Sequence, residues 1–85
     1  MTDAARRTVL DLLARRAAGA TVCPSEAARA LAAAADASDW RARMAEVHAA
    51  VQELAAEGVV RLTWRGAERS VEDGPYRIGR SALSN

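Results

Sequence analysis

The sequence has one histidine and one cysteine, His48 and Cys23, the two side chain types best suited to act as base or nucleophile near neutral pH. Catalysis needs such groups to converge in a cleft with an orienting partner. His48 falls in the middle of a helical stretch, on its polar side, and Cys23 stands just ahead of a second helix. No triad and no paired-carboxylate site can be built from them, so no enzymatic activity is expected. Metal-ligand spacing is also lacking, and no cofactor or metal is expected. A single cysteine cannot form an internal disulfide. At a helix N-terminus its thiol would be acidified. The reading favoured for Cys23 is a half-buried packing residue, with redox sensing as the alternative. Ser25 divides the same way, between helix-start hydrogen bonding and contact with a phosphate.

The more abundant chemistry is that of arginine. All twelve basic residues are Arg. Guanidinium suits phosphate and guanine recognition. A GC-rich coding bias gives the same composition, and it also explains 22 alanines. Residues 1–57 carry seven Arg and eight acids, and residues 58–85 carry five Arg and three acids. The net charge of +1 therefore hides a mild basic bias toward the C-terminal part.

These residues are positioned by a short series of elements. Thr2 is suited to cap a first helix with Asp3 in its first turn. Val9, Leu10, Leu12, Leu13 and Ala17 recur along it, and Gly19 is expected to end it. Ala20 to Cys23 reads as a stub of strand. Pro24 fits the first position of a second helix, expected over 24–34. Asp36 or Ser38 would cap a third helix running from about Asp39 to Glu57. Its signal is the strongest in the chain: Trp40, Met44, Val47, Val51, Leu54 and Gly58 recur at four, three, four, three and four residues. Arg41, Ala45, His48, Ala49, Gln52 and Glu53 lie opposite. Gly58 supplies a left-handed cap. Val60, Leu62 and Trp64 then alternate with Arg61, Thr63 and Arg65, a strand pattern. Residues 67–74 read as a polar connection. Pro75–Arg80 reads as a second strand, pairing with Val59–Arg65. Ser81–Asn85 reads as a frayed tail.

Helix, short strand, helix, turn, helix and hairpin is the order of a winged helix-turn-helix, an α+β fold that is mostly helical, here one domain over residues 1–80. In that fold the third helix enters the major groove and the hairpin wing meets the backbone. The expected function is DNA binding, as a small regulator. Arg41, His48 and Gln52 face away from the core, and Arg41 and Gln52 can read guanine and adenine. Arg43, at the edge of the buried stripe, reaches out only from the helix start. Arg61, Arg65, Arg69 and Arg77 would meet phosphates. Glu46, Glu53 and Glu57 on the same helix oppose this. The alternative is a protein-docking module without DNA binding, suited to a near-neutral charge and an alanine-rich face. Trp40 and Trp64 are expected in the core, with partial exposure near the hairpin tip, marking a partner or dimer contact, as the alternative for Trp64.

The segments CPSEAARAL, DWRARMAEV and LAAEGVVRLTWRG, with GPYRI near the end, resemble the domain of unknown function 3253. That resemblance spans roughly residues 5–80. It implies a short bacterial protein and carries no activity over. It also implies a basic residue where His48 stands and a Gln where Trp64 stands, so a partner touched at those positions is touched differently here.

The large apolar residues are few and Phe is absent, so the core is thin and gains from a second copy or another protein. No apolar run is long enough to span a membrane, and the expected location is the cytoplasm.

Overall fold

A computed structural model describes residues 2–81. It has three α-helices and a four-stranded antiparallel sheet: α1 (Asp3–Ala14), β1 (Thr21–Val22), α2 (Pro24–Ala34), α3 (Met44–Ala56), β2 (Val60–Trp64), β3 (Ala67–Glu68) and β4 (Arg77–Arg80). The sheet order is β1-β4-β2-β3. Three helices against such a sheet make the winged-helix-like arrangement that the element order predicts.

α1 buries Ala5, Val9 and Leu13, one residue per turn. It ends at Ala14, not at Gly19. The chain must leave the helix axis there so that β1 can reach β4. Arg80 donates to the Leu13 carbonyl at 2.7 Å, which occupies an acceptor of the last turn. Gly19, at φ +87°, serves a separate turn before β1, and Ala17 is exposed. Thr2 makes no side-chain cap; its hydroxyl donates instead to Glu53 on α3, at 2.7 Å.

α2 begins at Pro24 as expected and buries Ala27, Ala28, Leu31 and Ala32. Asp36 does not cap the third helix. It closes α2 from the left-handed region, at φ +55°, with its amide and that of Ala37 bonded to the carbonyls of Ala33 and Ala32. A short side chain that can bond locally makes Asp tolerable there. The third helix is also shorter than expected. Trp40–Arg43 form a 3₁₀ turn, and the α-helix starts at Met44. Val47, Val51 and Leu54 of the predicted stripe are buried, and Trp40 and Met44 pack at the core's edge.

Gly58 ends α3 as the sequence indicates. At φ +77° it lets its own amide reach Ala55 O at 3.1 Å and the Val59 amide reach Leu54 O at 2.9 Å. Two residues later the chain is already strand. Val60 and Leu62 point inward, paired with Arg80 and Ile78 of β4.

The hairpin is more elaborate than its sequence suggests. Arg65 and Gly66 both take positive φ, 53° and 84°, which gives a tight two-residue turn. The chain then folds straight back as β3, pairing Trp64 with Ala67 and Thr63 with Glu68. Residues 67–74 therefore include a strand and a 3₁₀ turn, Val71–Asp73, closed by a reciprocal Ser70–Asp73 capping box. β4 runs along the other side of β2. Ser81, which the sequence assigns to the tail, is buried and its amide donates to Val59 O at 3.1 Å. The rest of the expected tail lies outside the described residues.

Candidate nucleic-acid interface and the cleft beside it

The outward stripe of α3 consists of Ala45, Ala49, Gln52 and Ala56, which follow the helical repeat on the side away from Val47, Val51 and Leu54. Its acids lie to one flank. Arg6 of α1 forms a two-pronged ion pair with Glu57, both contacts 2.7 Å, and touches Glu53 at 3.1 Å. Its hydrogen bonds hold the Glu57 carboxyl below the usual carboxylate range. Glu46 is held by Arg43 at 2.9 Å, three residues earlier. The acids that the sequence sets against phosphate are thus drawn aside by local cations.

The eight candidate residues do not converge on one surface patch. Gln52 is exposed on the outward stripe. Arg41 lies over the Trp40 ring at 4.5 Å, and Arg29 of α2 lies over the same ring at the same distance. Arg65 sits at the wing tip, 5.9 Å from the Trp64 ring. Among the described residues none of Arg41, Arg65 or Gln52 has a carboxylate partner. Arg61 pairs with Glu68 at 3.3 Å, Arg69 donates to the Asp73 carbonyl at 3.0 Å, and Arg77 donates through Nε to Thr21 at 2.6 Å.

His48 is the clear correction. It does not stand on the solvent face. It is half-buried on the wing side of α3, where Nδ1 meets the Tyr76 hydroxyl at 2.6 Å and the two rings cross edge to face. Tyr76 is itself buried, and burial, followed by the charge of Cys23, pushes its hydroxyl pKa up. It therefore stays a phenol.

His48 and Tyr76 belong to a cleft of about 480 Å³ between α2, α3 and the wing. Met44, Trp64, Val71 and Pro75 form its apolar walls, and Cys23 and Ser25 stand at its α2 end. Burial pushes the Cys23 thiol up, but hydrogen bonds from the Ser25 hydroxyl and from the amides of Ser25 and Glu26, with the charge of Arg77, bring it below its ordinary value. Sγ lies 3.0 Å from the Ser25 hydroxyl. Trp64, expected in the core, is half-buried on the wall of this cleft. The cleft itself has no local sequence signature. Met44, Trp64, Val71 and Tyr76 come from three segments, and the wing's fold-back alone brings them together.

A family model matches residues 2–81, nearly the whole chain. The chain belongs to the family described as protein of unknown function (DUF3253). Membership agrees with the resemblance carried by its four sequence segments. The DUF3253 description assigns no activity, and no curated protein matches the chain. Among the described residues, no helix is long and apolar enough to cross a membrane, and no group of three metal-ligating side chains occurs.

Proposed function

We propose that this DUF3253 protein binds double-stranded DNA as a small regulator in the cytoplasm, with α3 in the major groove and the wing on the backbone. The observation that carries this reading is the placement of the α3 acids. Glu46, Glu53 and Glu57 are held aside by Arg43 and Arg6, so the stripe presented outward is uncharged and small. Such a face allows close approach to base edges. Gln52 is the side chain on it able to bond adenine in two places. Arg41 in the 3₁₀ turn before α3 and Arg65 at the wing tip would meet phosphates or guanine. Arg61 and Arg77 can join them by exchanging partners. An exposed pair such as Arg61–Glu68 is worth at most about 1 kcal/mol. Arg43, His48 and Arg69 are left out of the contact set, because they are half-buried as well as bonded, to Glu46, Tyr76 and the Asp73 carbonyl, whereas Arg61 and Arg77 are exposed.

Four phosphate contacts give a salt slope near about −3.6, so a monomer binds weakly and a homodimer would double the slope. Fluorescence anisotropy of a labelled random duplex at several salt concentrations tests this. Binding whose slope falls by about one in Arg65→Asn supports the contact set. Arg65→Asn suits the test because Asn is favoured in a two-residue turn of this kind. The absence of binding even at low salt would overturn the proposal. The apolar cleft favours the second reading, docking of another protein, which that outcome would leave standing.

A further inference from the structure

The outer face of the sheet carries a notch. Cross-strand neighbours share a face, so the register sets Thr21 of β1, Gly79 of β4 and Arg61 of β2 in one row, with Arg77 and Thr63 in the next. Val22, Leu62 and Ile78, which alternate with them, are buried in the core on the other face. Gly79 has no side chain, and a pocket of about 210 Å³ lies beside it, lined also by Thr21, Arg61, Thr63 and Arg80. That is smaller than a pocket for a whole small molecule, about 300–1,000 Å³, and suits a single charged group.

The lining is cationic and rich in donors, and none of its residues is acidic. Arg80 is anchored by its bond to the Leu13 carbonyl at 2.7 Å, which holds the side chain without neutralising it. Arg61 meets a carboxylate, that of Glu68, at 3.3 Å, in an exposed pair that a stronger anion can displace. The Thr21 hydroxyl accepts from Arg77 Nε at 2.6 Å, so its own hydrogen is left to donate. Among the described residues the Thr63 hydroxyl has no partner. Two guanidiniums and two hydroxyls around a glycine suit a tetrahedral oxyanion with several acceptor oxygens.

We propose that this notch binds a phosphate group, held by Arg61 and Arg80 and by the Thr21 and Thr63 hydroxyls beside Gly79. The outer face of the sheet is turned away from the core that α3 packs against, so the proposal does not depend on α3 entering the major groove. The phosphate is that of a small phosphorylated molecule or of a nucleic-acid backbone, two sources that experiment separates.

Amide NMR of the full chain titrated with inorganic phosphate at constant ionic strength tests this. The Gly79 and Thr63 amides are expected to shift and saturate with a Kd of about 1 mM or tighter, and sodium chloride should move neither. Gly79→Ala places a methyl in the notch, where the Cβ meets only Thr21 Cγ2, at an ordinary 3.5 Å. It should weaken binding about tenfold with the circular dichroism spectrum unchanged. Arg61→Gln, an exposed change, should weaken it about threefold to tenfold. Glu68→Gln should strengthen it about twofold to fivefold by releasing Arg61. A short DNA duplex added to the phosphate-bound protein separates the sources. Displacement of phosphate from these amides assigns the group to a nucleic-acid backbone, and phosphate binding undisturbed by the duplex assigns it to a small molecule. No saturation by about 20 mM phosphate would overturn the proposal. So would equal shifts with chloride, shifts confined to other parts of the protein, or binding indifferent to both Gly79→Ala and Arg61→Gln.

Discussion

The two flanks of α3 are built on opposite plans. Toward α1 the helix is closed by charge: Arg6 takes both Glu53 and Glu57, and Thr2 adds a hydrogen bond to Glu53. Toward the wing it is closed by one hydrogen bond, between His48 and Tyr76, beside an open cleft. The first flank gathers the helix's acids where they disturb nothing. The second keeps apolar and weakly polar groups accessible. A helix can thus be anchored on one side and available on the other, and the Arg6 side chain is what separates the two.

That contrast can be broken from the middle outward. Leu54, 1% exposed, lies between the flanks. Leu54→Ala should cost about 2–5 kcal/mol in denaturant unfolding and loosen both sides together. Tyr76→Phe removes only the hydroxyl bonded to His48. It should cost about 1 kcal/mol and increase the exchange of wing amides while leaving those of α1 unchanged. A matching change in α1 would show that the flanks are not independent. Gly58→Ala places a Cβ in the left-handed region, with open space around it, so the cost is backbone strain alone, about 1 kcal/mol.

The smallest effect is expected on the charged flank, where the groups are exposed. Arg6→Ala should barely move the midpoint at neutral pH. Its signature is the acid dependence. The Glu57 carboxyl titrates below its unfolded value, so its contribution is present above about pH 4 and is lost as pH falls through the lower folded value. Thermal melts of the wild type should therefore lose more stability between pH 5 and pH 2, as about a linkage of one group requires, than melts of Arg6→Ala. Parallel curves would show that this pair does not stabilise the fold.

Much of this architecture is legible in the sequence. The Trp40-to-Gly58 spacing locates α3, and the alternation after Gly58 locates β2, because one face of each must be buried. The proline and the glycine mark the start of α2 and the end of α3 through backbone restrictions of their own. The end of α1 was less legible, since the apolar pattern continues to Ala17 while the need for β1 to join β4 stops the helix at Ala14. β3 was hidden because its turn uses Arg65 in a conformation usually left to Asn or Gly. The site was the least legible part. The position of His48 on the helix wheel is near the edge of the outward face, and only Tyr76, twenty-eight residues away, decides which way it leans. The pairing of Arg61 and Arg77 likewise depends on neighbours brought in by the sheet.

The junction at Gly58 and Val59 has a further consequence. Just three residues separate the last residue of α3 from the first of β2, and the Val59 amide and carbonyl are both engaged, to Leu54 and Ser81. There is no slack to let helix and strand open at different times. In native-state hydrogen exchange the end of α3, β2 and β4 should open as one cooperative unit, with a single free energy and a single response to denaturant.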